Sequence, residues 1–241
     1  MVSPFTIHIA DERLATIRAK VDAYDWSQLP DAGGWRAGVG IRDLKRLVAY
    51  WQNHYDWRTV EQRLNQLPNF ATEIEGERIH FLHVKGDGSK PPVLLLHGWP
   101  GSYLEFEQLL APLAADGHDV IVPSLPGFAF SNPITGVIGP RRSAALMHGL
   151  MVRLFARSRY IIQGGDWGHG IAAWAAHDRP DAVLGIHMNM VNLNAEDAVA
   201  TTPQEKDFVA TRDALAESGP IFPPLPTAIR ISGASSPKRS C

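Results

Sequence analysis

Cysteine is nearly absent from this sequence: Cys241, the final residue, is the only one. No internal disulfide can brace the fold, which fits a reducing compartment. An excess of one charge is also lacking. Lysine and arginine number 23 against 25 aspartates and glutamates, a formal charge of −2. Nucleic acid and anionic membranes call for basic clusters, so neither is expected as a partner. No run is long and apolar enough to span a bilayer, so no membrane anchor is expected. Met1-Val2-Ser3-Pro4-Phe5 shows neither the charged nor the apolar region of a secretion signal. The expected address is the cytoplasm. The histidines and the lone cysteine form no cluster with metal-ligand spacing, so neither metal nor cofactor is expected. A chain of 241 residues with 20% charged side chains then reads as a globular protein with a sizeable core, in one or two domains.

What the sequence does have is Gly164-Gly165-Asp166-Trp167-Gly168, between the β-branched run Tyr160-Ile161-Ile162 and the helical stretch Ile171-Ala172-Ala173-Trp174-Ala175-Ala176. Small residues around a central acid, between strand and helix, have the form of a nucleophile elbow with Asp in the place of the commoner Ser. An Asp is already ionised at neutral pH and can attack without a base, but it forms an ester that must then be hydrolysed. Read as a mere helix N-cap, Asp166 would leave the flanking glycines unexplained. The chain also contains His97-Gly98-Trp99-Pro100-Gly101-Ser102, which closes the apolar run Pro92-Val93-Leu94-Leu95-Leu96 and opens a helix. In elbow folds the oxyanion hole takes one backbone N–H from the residue after the nucleophile and one from this earlier loop. Trp167 and Trp99 are the candidates. Gly164-Gly165-x-x-Gly168 is a weak match to a dinucleotide loop, because an Asp interrupts the wrong spacing.

Periodicity divides the chain. Leu14, Ile17, Val21 and Tyr24 recur at helical spacing, as do Leu44, Leu47, Val48, Trp51 and Tyr55, and a third helix is predicted from Trp57 to Gln66. Residues 1–69 therefore read as a helical arm, with Trp51, Tyr55 and Trp57 gripping the main domain. Phe70 to Glu75 and Arg78 to Val84 read as a hairpin around Glu75-Gly76-Glu77. From there to residue 195, strands and helices alternate as β-α units, which implies a largely parallel sheet covered by helices. Ligands in such sheets bind beyond the carboxyl ends of the strands, where Asp166 and the turn after Leu96 both fall. Residues 196–241 begin a further region and end, from about Gly219 to Cys241, in a Pro-, Gly- and Ser-rich tail expected to lack regular structure.

These motifs give the chain a resemblance to the epoxide hydrolases, in particular the microsomal-type branch with its N-terminal helical region. It rests on the two motifs above together with Tyr50-Trp51-Gln52-Asn53-His54-Tyr55-Asp56-Trp57-Arg58, Glu61-Gln62-Arg63-Leu64-Asn65-Gln66-Leu67-Pro68 and Ile79-His80-Phe81-Leu82-His83. The resemblance implies an α/β-hydrolase fold and a small-molecule epoxide as substrate. It implies that Asp166 opens the oxirane to a hydroxyalkyl ester, that two lid tyrosines hold the departing oxygen, and that a His with an acidic partner activates the water which frees a vicinal diol. The sequence departs from that pattern. No tyrosine follows Tyr160, and the histidines after Asp166 are His169, His177 and His187, none after a late strand. No base, acid partner or oxirane-oxygen donor can be assigned, and the sheet is expected to be incomplete, truncated toward the C-terminus, with an exposed edge at Val183–Met188. Two other readings stand beside this one: a haloalkane dehalogenase-like hydrolase, which also uses an Asp-Trp pair, and a non-catalytic scaffold.

Overall fold

In the computed structural model, which describes residues 1–29, 35, 38–156, 159–190, 201–207 and 210, seven strands make one sheet. They are β1 (Ser3–Pro4), β2 (Asn69–Ile74), β3 (Glu77–Val84), β4 (Val93–Leu96), β5 (Val120–Pro123), β6 (Tyr160–Gly164) and β7 (Val183–Met188), in the spatial order β1-β2-β3-β5-β4-β6-β7. β4, β5, β6 and β7 run parallel, and β1, β2 and β3 add an antiparallel flank. The helices are α1 (Asp11–Asp22), α2 (Ile41–His54), α3 (Trp57–Leu64), α4 (Glu107–Ala115), α5 (Pro140–Phe155) and α6 (Trp167–Asp178).

The alternation of side chains along each strand sorts the core into two layers. Leu94, Leu96, Ile121 and Ile162 face α5 and α6 with Leu146, Met147, Leu150, Ile171, Ala172 and Ala175. Val93, Leu95, Val120 and Val122 face Leu110 of α4 and the aromatics Tyr103 and Phe106. All four residues of β4 are buried, as an apolar run covered on both faces requires. The predicted hairpin is closed by a two-residue turn in which Glu75 and Gly76 both have positive φ, 50° and 84°. Those angles match the right-handed twist of the strands they join. At the opposite end β7 leaves Leu184 and Ile186 exposed and, among the described residues, its outer edge unpaired, as expected. The tail expected to lack regular structure, from about Gly219 to Cys241, lies outside the described residues.

The first 69 residues are not wholly helical. Ser3 and Pro4 pair antiparallel with Ala71 and Phe70, and Ile7 is fully buried. Two residues carry no readable period, and Pro4 argues against a strand except at a sheet edge, which is where it lies. Beyond it, side chains take the place of a ladder. Asn65 Oδ1 accepts from the Ile7 N–H at 2.7 Å, its Nδ2 donates to the Ile7 carbonyl at 2.9 Å, and Glu61 accepts from the Ile9 N–H at 2.7 Å. Burial pushes the Glu61 carboxyl up, but the bonds from Ile9, Arg58 and Trp57 outweigh it and hold the group below its ordinary range.

The expected grip of the arm also needs correction. Neither α1 nor α2 has a buried residue, and Trp51 and Tyr55 are 44% and 41% exposed. They line an open groove with Leu14, Ile17, Val21 and Trp57. Helical periodicity reports that a face is apolar, not what it meets. Of the three aromatics, Trp57 alone makes a side-chain hydrogen bond among the described residues, its Nε1–H donating to Glu61 one turn along α3 at 3.0 Å.

His80 on β3 joins arm to sheet. Asn69 spends its amide N–H groups on the Leu64 and Leu67 carbonyls, both at 2.8 Å, so its Oδ1 accepts from His80 Nε2 at 3.0 Å. The Ser124 hydroxyl meets Nδ1 at 2.9 Å. Burial, aided by the Arg78 charge, pulls this imidazole down to about 3. In the unfolded chain the group titrates near 6.5, so between those values the unfolded state holds a proton that the folded state does not. Stability therefore rises with pH across that window and is lost as pH falls from about 6.5, by up to about 1.4 kcal/mol per unit for this group. Urea unfolding at pH 7 and pH 5 should show a slope about one proton shallower in His80→Gln than in the unaltered chain.

Candidate active site

β4 and β6 lie side by side with Leu96 opposite Gly164, and both chains turn immediately afterwards. The turn after β6 is tight. Asp166 sits at φ 48° and ψ −121°, a region L-residues seldom occupy, which stores about 1–3 kcal/mol of strain. The strain projects the carboxylate clear of the sheet, where it is exposed. Close approach demands glycine on either side. A Cβ on Gly168 would stand 2.2 Å from the Leu96 carbonyl oxygen, and one on Gly98 would stand 2.4 Å from Asp166 Cβ. The two motifs identified in the sequence thus touch through positions that admit no side chain.

Asp166 does not cap α6: its side chain accepts no hydrogen bond from that helix. Its Oδ1 instead accepts from the Trp99 N–H at 2.7 Å, across 67 positions of sequence. Oδ2 meets no donor among the described residues. Of the two amides expected at an oxyanion hole, that of Trp99 is therefore on the carboxylate, whereas that of Trp167 opens α6 and makes no bond to it. Both indole side chains are exposed, Trp99 at 70% and Trp167 at 44%. Ser102 folds back to cap the Leu104 amide at 3.3 Å, which starts the short helix that follows the loop.

His97, just before this loop, is 1% exposed. Its Nε2 accepts from the Leu125 N–H at 3.1 Å, and its Nδ1 lies 3.0 Å from the Gly98 carbonyl oxygen. Burial pulls its pKa below the ordinary imidazole value, against the Gly98 carbonyl and Glu105, which push it up. Of the histidines downstream of Asp166, His169 turns its Nδ1 to the backbone oxygen of Asp166, His177 bonds Asp178 at 3.0 Å, and His187 lies exposed on β7. Asn189, which the sequence reading passed over, places its amide against Gly165, with Oδ1 2.0 Å from where a Cβ would stand. Its position one residue beyond β7, at the same carboxyl edge as Asp166, was the available signal. Among the described residues no group of His, Cys, Asp or Glu could hold a metal ion.

Comparison with known proteins bears on this geometry. Residues 2–106 match the family model described as epoxide hydrolase N terminus, and residues 91–225 match that of the alpha/beta hydrolase fold. The chain belongs to the epoxide hydrolase branch of the α/β-hydrolase fold. A putative epoxide hydrolase of Stigmatella aurantiaca is 36% identical over 231 residues, covering 90% of this chain and 52% of the relative. Epoxide hydrolase 1 of Oryctolagus cuniculus is 33% identical over 204 residues, covering 78% and 45%. Among solved structures, the epoxide hydrolase of Aspergillus niger superposes with a TM-score of 0.77 at 30% identity, covering 89% of this chain and 60% of that one. The juvenile hormone epoxide hydrolase of Bombyx mori gives 0.67 at 30%, covering 79% and 53%. The chain spans about half the length of the curated relatives it matches.

Strain at an epoxide hydrolase elbow makes a testable trade. Asp166→Gly removes the penalty of positive φ, and water can replace its bond to the exposed Trp99 loop. It should raise unfolding stability by about 1 kcal/mol. Gly98→Ala should lower stability by about 1–3 kcal/mol through overpacking against Asp166. Urea midpoints of the two variants should move in opposite directions.

Proposed function

We propose that this chain acts on a small-molecule epoxide with Asp166 as nucleophile, and that the backbone amides of Trp99 and Trp167 form its oxyanion hole. One observation carries the reading: an exposed elbow carboxylate with one oxygen bonded to the Trp99 amide and the other meeting no donor among the described residues. Oδ2 attacks an oxirane carbon; a C–O bond forms, the ring C–O bond breaks, and the released oxygen takes a proton from solvent to become a hydroxyl. In the resulting ester, Oδ1 is the carbonyl oxygen. When water adds to the ester carbonyl carbon and gives up a proton to solvent, negative charge develops on Oδ1, where the Trp99 amide already sits. Collapse of the tetrahedral intermediate restores the carboxylate and releases a vicinal diol. The net change is epoxide plus water to diol, the chemistry of epoxide metabolism and detoxification. No cofactor enters this balance.

The first step has its nucleophile but no assigned donor for the oxirane oxygen, so alkylation should be slow; the second step lacks an assigned base. Losing general-base assistance costs about 10²–10⁴ in rate, and no histidine after Asp166 is placed to give it. This chain on its own should therefore be alkylated once and release diol slowly or not at all. The match of residues 2–106 to the epoxide hydrolase N terminus favours this reading over a haloalkane dehalogenase. A cytoplasmic location is part of the proposal; among the described residues, no helix is long and apolar enough to cross a membrane.

Intact mass spectrometry after incubation with styrene oxide should show one adduct, mapped to Asp166 and absent from Asp166→Ala. An adduct confined to Cys241 or a histidine would overturn the assignment, as would diol production undiminished in Asp166→Ala. Halide release from a chloroalkane without epoxide alkylation would favour the dehalogenase reading instead.

A further inference from the structure

We infer that His97 is a positioning residue for the Trp99 amide, gripping the far side of the same peptide unit and strengthening its hydrogen bond to Asp166. The inference rests on the proposed role of Asp166 and deepens it. The Gly98 carbonyl and the Trp99 N–H belong to one peptide group, which is planar and points the two in opposite directions. His97 Nδ1 lies 3.0 Å from the carbonyl oxygen, and the N–H reaches Asp166 Oδ1 at 2.7 Å. The plane is held at both ends, and turning it would break both bonds.

The backbone dictates which way this grip runs. The Leu125 N–H points at Nε2 from 3.1 Å, so Nε2 must present its lone pair. The one proton of the neutral ring then sits on Nδ1 and is donated to the Gly98 oxygen. Donation into a carbonyl polarises the amide and makes its N–H a stronger donor, the cooperativity of linked hydrogen bonds. The relay runs from Leu125 through the imidazole and the Gly98–Trp99 peptide to the nucleophile. Phe128 packs edge-on against the ring at 5.2 Å and 77°, and with the ring buried it is not free to turn. A histidine that merely filled space would need neither bond. Gly98 completes the device, since any side chain there would push Asp166 off the amide.

Nitrogen-15 NMR at neutral pH should show His97 with a protonated Nδ1 and an unprotonated Nε2; the opposite tautomer would overturn the inference in the unaltered protein. Hydrogen exchange at the Trp99 amide should quicken by about tenfold or more in His97→Leu. Amides within β4 and β6 should be unchanged, and His97→Gln, which keeps a donor, should retain most of the protection. Unchanged exchange at Trp99, or a uniform loss across the sheet, marks a role in packing alone and overturns it. The rate of Asp166 alkylation by styrene oxide should fall by about 10–100-fold in His97→Leu and partly recover in His97→Gln. An unaltered rate beside a labile Trp99 amide would overturn the functional half. Should Asp166 not be alkylated even in the unaltered chain, the nucleophile assignment fails, while the tautomer and exchange measurements still decide the role of His97. Should His97→Leu not fold, the tautomer and His97→Gln decide it.

Discussion

Everything about this site follows from how closely two parallel strands end beside each other. The Leu96 carbonyl at the end of β4 and the first turn of α6 after β6 approach to a distance that leaves no room for a Cβ at Gly168. That contact fixes where α6 begins, which forces the chain through Asp166 at positive φ, which lifts the carboxylate out of the sheet. The same closeness brings Gly98 against Asp166 and delivers the Trp99 amide to it. The two-sided apolar packing of β4 makes this possible, since only a strand buried on both faces can hold two helix-covered turns so tightly together.

Strain of this kind has to be offset elsewhere, and α6 is braced at its far end. Arg141 at the start of α5 donates twice to Asp178, at 2.8 and 2.9 Å, with its guanidinium 4.5 Å from the ring centroid of Trp174. The Arg141 bonds, foremost, and that from His177 hold the Asp178 carboxyl down at about 2. These contacts tie the C-terminus of α6 to the start of α5.

What the sequence made legible was local. The elbow, the loop after β4 and the hairpin were readable because glycine and acid punctuate a short stretch whose geometry they decide alone. The alternating strands and helices were readable because period 2 and period 3.6 are properties of one segment. β1 was missed because two residues, one a proline, have no period, and their pairing is decided by partners 66 to 68 positions away. The faces of α1 and α2 were recognised as apolar, yet their neighbours were misjudged, since amphipathicity names a stripe and not its partner. His80 and His97 illustrate the same limit from the polar side. Each is satisfied by groups from another strand or loop, Asn69 and Ser124 for the one and Leu125 for the other, and nothing in the spacing announces those meetings.

The clasp that Asn65 and Glu61 close on Ile7 and Ile9 makes the helical arm an excursion rather than an appendage. Both of its ends are stitched to the same sheet edge, one through β1 and one through β2. During synthesis residues 1–9 leave the ribosome long before Asn65 and β2 exist to receive them, so this segment waits unpaired while the arm is made. Once closed, the loop is topologically a handle: cutting it between α1 and α2 would leave two fragments still joined by the β1 pairing, the clasp and the bonds that Arg18, Gln52 and Arg58 make between the two pieces. Removing the arm as a domain would require keeping the chain's first residues and splicing them to Asn65.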